Sequence, residues 1–149
     1  MAVGLEIREA GTNDLLQLLE LYTQFNNNPM PEPSDRLGGI WEDILSDRSH
    51  HVIIGLVHDH VVSSCVIVII PNLTHEQRPY ALIENVITSG AHRNRGHATA
   101  LLNYAKDIAL AENCYKIMLL TGSKEESILN FYRKAGYNSE DKTAFIHWL

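Results

Sequence analysis

Residues 92–99, HRNRGHAT, carry a set of side chains suited to holding an anion. His92, Arg93, Arg95 and His97 concentrate positive charge in a chain whose formal net charge is -6. Such a local field raises the concentration of a negatively charged ligand. Gly96, with Ala98 close behind, lets a ligand approach the backbone closely. Thr99 adds a hydroxyl. The run lies between an apolar strand and an apolar helix. The first amides of a helix have no partner within the helix and sit at the positive end of its dipole. Such a terminus suits a phosphate or a pyrophosphate. Basic residues are mildly unfavourable at that end, so a plain capped helix leaves a cost unexplained.

The elements around the run follow from periodicity. Upstream, YALIENVIT is an apolar strand over Tyr80–Thr88. Downstream, Ala98, Leu101, Leu102, Ala105, Ile108 and Ala109 form one helical face. CYKIMLLT is a buried strand, KEESILNFYRKAGY a helix stopped by Gly136, and TAFIHWL a last strand. Toward the N-terminus, LEIREA is a short strand. A helix follows, capped by Thr12 or Asn13, with Asp14 in its first turn. NNNPMPEPSDRLGG is a loop within a domain. Ser34 caps a second helix bearing Ile40, Trp41, Ile44 and Leu45. Two strands follow around a turn at His58–His60, preceded by His50 and His51. The strand–helix–strand unit calls for a parallel pair with a right-handed crossover, and the hairpin for antiparallel pairing. The expected fold is α/β, with a mixed, mostly antiparallel sheet and helices on both faces, in one domain over residues 1–149.

Composition excludes several classes. At 149 residues, 45% hydrophobic and 20% charged, the chain can bury a core. The longest apolar run, Cys65–Ile70, is too short for a membrane helix. The opening MAVGLEIREA has no basic flank followed by an apolar core, so no signal peptide is expected. Cys65 and Cys114 read as buried thiols of a reducing compartment, which points to the cytoplasm. The acidic balance argues against nucleic acid as a partner. There is no G-x-x-x-x-G-K-[ST] and no G-x-G-x-x-G. The histidines at 58 and 60 form a polar turn, and without H-E-x-x-H or a Cys/His array no metal is expected.

Arg93, Gly96 and Ala98 stand where the pattern [QR]-x-x-G-x-[GA] places them between a strand and a helix. The sequence thereby resembles the GNAT superfamily of N-acetyltransferases, whose signature for acetyl-coenzyme A this is. FYRKAGY resembles that family's FYEKxGF element, and ALIENVIT its fourth strand. Within the family, IENV, NCYKI and FYRKAGY are similar to glucosamine-phosphate N-acetyltransferases. The resemblance implies acetyl-coenzyme A as acetyl donor, lying where the fourth strand splays from the fifth. Val86 and Ile87 would meet its pantetheine. The amides of Asn94, Arg95, Gly96, His97, Ala98 and Thr99 would take its pyrophosphate, with Arg93 beside them. Tyr132 falls on the tyrosine that protonates the departing thiolate. Glu84, between Ile83 and Val86, resembles a glutamate that accepts the amine's proton, directly or through water. Where the family often has an asparagine near SKEES, this chain has Glu125 and Glu126.

The chemistry needs these parts. A primary amine is mostly protonated at neutral pH and must lose a proton before it attacks. The oxyanion needs a donor, such as a strand N–H. The implied function is transfer of acetyl to a primary amine, of a small molecule, which would meet residues 26–41; a narrow pocket near Trp41 would support a small amine. A noncatalytic acyl-coenzyme A module and a protein N-acetyltransferase stay open at this point. The resemblance also implies a homodimer paired through C-terminal strands, and TAFIHWL would be an apolar edge in need of cover.

Overall fold

The structure, a computed structural model, describes residues 4–149. Met1–Val3, part of the opening read as lacking an export signal, lie outside the described residues. Five strands form one sheet in chain order: β1 (Glu6–Glu9), β2 (His50–Val57), β3 (His60–Ile70), β4 (Tyr80–Thr88) and β5 (Ile117–Leu119). The first three pairings are antiparallel, and β4 pairs parallel with β5. The helices are α1 (Leu15–Tyr22), α2 (Asp35–Ser46), α3 (His97–Ala111) and α4 (Glu126–Lys134). The sheet is mixed and mostly antiparallel, as the element order requires.

Strand alternation divides the core between two faces. Ile53, Cys65, Ile67, Ala81 and Ile83 point to one, where Leu101, Leu102 and Ala105 of α3 and Phe131 and Tyr132 of α4 cover them. Val52, Ile54, Leu56 and Val66 point to the other, under Leu18 and Leu21 of α1 and Trp41 of α2. Cys65 is fully buried, and burial pushes its thiol up to about 12.

Local chemistry sets the element ends. His58 and Asp59 adopt positive φ of 48° and 63°, the twist of a two-residue hairpin turn, so β3 begins at His60 itself. His50 and His51 lie inside β2, not ahead of it, and His51 Nδ1 meets Glu9 Oε1 at 2.6 Å. Ser34 Oγ accepts from the Leu37 amide at 3.1 Å, the expected cap of α2. Gly136, at φ 101°, follows α4 in the left-handed conformation that ends a helix.

Neither Thr12 nor Asn13 caps the first helix. Residues Thr12–Asp14 make a single tight turn, and Asp14 organises it. Its Oδ2 accepts from the Gly11 amide at 2.7 Å, and its two oxygens take Arg8 Nη1 and Nη2 at 2.7 and 3.0 Å. The hydrogen bond from Arg8 is the main reason the Asp14 carboxyl is held below its ordinary range. A depressed folded pKa stabilises at pH above the unfolded value, and the benefit is lost as pH falls through the folded one. Asp14→Asn should therefore cost about 1–2 kcal/mol at neutral pH in urea unfolding. The gap from the parent should narrow as pH falls below about 4; a gap that persists there would remove ionisation as its cause.

Two expectations are corrected at the C-terminal end. β5 has only three residues, Ile117–Leu119, because its pairing with β4 stops at Ile83↔Leu119. TAFIHWL forms no strand: it has the composition of one but no neighbouring strand to hydrogen-bond.

Candidate active site

β4 carries the irregularity that shapes the site. Val66 pairs with Glu84 and Ser64 with Ile87, so Asn85 and Val86 together oppose Cys65. This is a β-bulge, with Asn85 at φ 52°. An extra residue reverses the alternation beyond it. Before the bulge Ile83 packs on the α3 side; after it Ile87 packs on the α1 side, and Val86 takes over the α3 side. Beyond the end of β5, β4 continues to Thr88 with β3 on one side and, among the described residues, no strand on the other, which opens a gap in the sheet.

Two cavities use that gap. The larger, about 540 Å³, is bounded by Val86, Ile87 and Thr88 of β4, by residues 92–94 and 96–99, and by Ser127, Ile128, Phe131 and Tyr132 of α4. The smaller, about 230 Å³, is bounded by Ile83–Val86, by Leu119–Gly122 at the end of β5, and by Phe25 and Tyr132. Phe25, Val86 and Tyr132 line both, so the cavities adjoin at these three residues.

The turn before α3 has the form of an anion cradle. Asn94 and Gly96 take positive φ of 60° and 80°, and Gly96 is the residue from which α3 starts. The first helical bond runs from the Ala100 amide to the Gly96 carbonyl at 3.0 Å. The amides of His97, Ala98 and Thr99 thus stand ahead of the ladder. A Cβ built on Gly96 would meet nothing of the chain within 4 Å, so the space beside it is open. Gln24, at the end of α1, steadies the approach: its Oε1 accepts from the Gly90 amide at 2.9 Å. Arg93 Nε donates to the Thr88 carbonyl at 3.3 Å.

The sequence-predicted residues gather closely. Arg93, Asn94, Gly96, His97, Ala98 and Thr99 line the larger cavity with Val86 and Ile87; Arg95 is exposed and does not. Glu84 is exposed at the mouth of the smaller cavity, which it shares with Tyr132. Tyr132 is half-buried, and burial raises its phenol above the ordinary value, so it is protonated at neutral pH.

Two readings are corrected. The His97 side chain does not add charge to the turn. It is 4% exposed, neither ring nitrogen has a partner among the described residues, and burial first, then His92 and Arg95, lower its pKa. Trp41 lines neither of these cavities: it is a core residue whose Nε1 donates to the Thr12 carbonyl at 3.4 Å. Glu126 is engaged by Arg133 Nη1 at 2.7 Å, and the groove at the start of α4 is lined instead by Ser127 and Ile128. Sequence reasoning missed Ser127, Phe25 and the bulge at Asn85. Asn85 had left a signal, as an asparagine within an apolar strand tolerates positive φ. Among the described residues no group of three or more His, Cys, Asp or Glu is arranged to hold a metal. No described helix is long and apolar enough to cross a membrane.

The sheet thus opens beside its one parallel pair, and the start of α3 lines the opening. The chain belongs to the Acetyltransferase (GNAT) family, whose sequence profile matches residues 15–137. The family's chemistry is acetyl transfer from acyl-coenzyme A. The chain is 33% identical to an assigned acetyltransferase from Agrobacterium tumefaciens str. C58, with TM-score 0.88 over 96% of this chain and 99% of that one. It is 17% identical to glucosamine-6-phosphate N-acetyltransferase from Arabidopsis thaliana, with TM-score 0.83 over 97% and 98% of the two chains, a likeness of fold. An aminoglycoside acetyltransferase from an uncultured soil metagenomic sample is 16% identical, with TM-score 0.80 over 98% of this chain and 96% of that one. No curated protein matches the sequence.

Proposed function

We propose that the protein transfers acetyl from acetyl-coenzyme A to the primary amine of a small molecule by direct attack. The carrying observation is the adjoining pair of cavities, with Tyr132 on both and Glu84 on the smaller. The residues fit the donor. The amides of His97, Ala98 and Thr99 and the open side of Gly96 suit its pyrophosphate, and Val86 and Ile87 suit its pantetheine arm. When bound, acetyl-coenzyme A supplies the activated acyl group.

The chain's own residues then divide the proton traffic. The Glu84 carboxylate takes a proton from the ammonium, directly or through one water, and frees the nitrogen lone pair. The bulge at Asn85–Val86 turns β4 backbone toward the gap, where an N–H can face the developing oxyanion. The Tyr132 hydroxyl gives its proton to the departing thiolate. A smaller cavity of about 230 Å³ suits a small amine better than a peptide segment.

Thiol release from acetyl-coenzyme A, measured against amino sugars, polyamines, amino acids and peptides, tests this. At least one small primary amine should drive release above the amine-free rate. Acetyl-coenzyme A binding without release by any amine would identify a noncatalytic module. Release by peptides alone would identify a protein acetyltransferase.

A further inference from the structure

From Thr23 to Arg36 every residue but one is exposed. The exception is Phe25, which packs against the core on the α1 side of the sheet. Its neighbours hold it there. The Phe25 amide donates to the Tyr22 carbonyl at 3.1 Å, and the two rings lie 5.6 Å apart between centroids. Gln24 is tied to the far end of β4: its Oε1 accepts from the Gly90 amide at 2.9 Å, and its Nε2 donates to Ser89 Oγ at 3.4 Å. Asn28 Nδ2 donates to the Tyr22 carbonyl at 2.8 Å. A side chain locked by such supports can exclude a ligand group by shape.

The ring stands where the two cavities meet, since Phe25, Val86 and Tyr132 line both. Val86 and Tyr132 belong to the cluster on the α3 side, and Phe25 alone of the three comes from the α1 side. The passage is therefore walled from both faces of the sheet. With the cavities serving donor and acceptor, the thioester lies in this passage: its sulfur must reach Tyr132, and its carbonyl must meet the amine in the smaller cavity. An acyl chain longer than acetyl extends from the same carbon. It has to pass the Phe25 ring or enter the volume of about 230 Å³ that the amine needs. Val86 is set by the bulge and Tyr132 by its proton. Phe25 carries no group that the chemistry uses, so what it contributes is bulk.

We propose that Phe25 sets the acyl specificity of the protein: its ring limits the donor to acetyl and turns away propionyl- and butyryl-coenzyme A. The inference rests on the function proposed above for the paired cavities. One extra methylene in an apolar pocket is discriminated by about 10-fold to 200-fold. That requires a wall that does not yield, because a loose side chain moves aside and a packed one forces strain on the intruder. The Phe25 ring, backed by Tyr22 and anchored through Gln24, meets the requirement. Removing the ring leaves space beside the acyl carbon and admits the longer chains.

The test measures binding and so needs no acceptor. Calorimetry with the full chain should show acetyl-coenzyme A binding at least about 10-fold more tightly than propionyl-coenzyme A, with butyryl-coenzyme A weaker again. In Phe25→Ala the three affinities should converge, through a gain for the longer donors. Phe25→Leu keeps apolar cover on the core should the alanine variant not fold, and it should narrow the gap part of the way. Equal affinities for the three donors in the parent chain overturn the inference and leave the proposed function standing. A gap that persists undiminished in every variant that folds does the same. Convergence reached only by loss of acetyl-coenzyme A affinity would make Phe25 a general part of the donor site and overturn its role as selector. Failure of all three donors to bind overturns the reading of the cavities, and this inference with it.

Discussion

Tyr132→Phe should lower turnover by about 100-fold to 10,000-fold, the usual contribution of a positioned general acid. The substitution removes one hydroxyl and leaves the ring. The ring has its own support: it packs in the core cluster beside Phe131 at 5.0 Å and edge-on to Tyr137 at 6.4 Å between centroids. The fold and the groove should therefore persist. Affinity for acetyl-coenzyme A should change little, because the amides at the start of α3 are untouched. Burial holds the phenol protonated at neutral pH, so the wild-type acid is in its working form there. The defect should shrink with an acyl donor whose thiol is more acidic, since a better leaving group needs less help. Slow product release can hide a chemical defect, so single-turnover measurement is the appropriate form. Wild-type single-turnover rates in the Phe variant would take Tyr132 out of the mechanism.

The parts of the fold legible in the sequence are those where two independent signals agree. α3 combined an apolar period with a glycine at its start, and α4 an apolar period with Gly136 at its end. β4 was legible in extent, as a continuous apolar run bounded by polar loops. Its bulge was not, because an inserted residue leaves composition unchanged and shows only in register. His97 was misread for a related reason. Its position in a basic run suggested exposure, yet it is four residues before Leu101 and eight before Ala105, on the face of α3 that packs on the sheet. Trp41 likewise belonged to the apolar period of α2 before it belonged to any acceptor pocket. The C-terminal strand failed on different grounds. Strand composition states a preference for a pleated, covered setting. Whether a neighbour exists to provide that setting is a property of the sheet, and the residues of the strand do not encode it.

Gly96→Val should weaken acetyl-coenzyme A binding by about 10-fold or more, the loss that corresponds to about 1.4 kcal/mol. Two costs combine. Gly96 holds φ 80°, where a β-branched residue is a true outlier, so valine pulls the turn out of its left-handed form. Binding must then restore that form, at about 1–2 kcal/mol. The added methyls also stand on the open side of the turn, where nothing of the chain lies within 4 Å of a Cβ and where the pyrophosphate would approach. Gly96→Asn separates the two, since asparagine tolerates positive φ and still carries bulk. Crowding predicts that both variants lose affinity in calorimetry, whereas strain predicts a loss confined to valine. Either pattern keeps residues 94–99 at the cofactor. Unchanged affinity in both would move the pyrophosphate elsewhere, and the helix start would then be a capped terminus with solvated basic neighbours. Thermal unfolding of the same variants guards the inference: a destabilised valine variant that remains folded at the temperature of the titration still reports on binding.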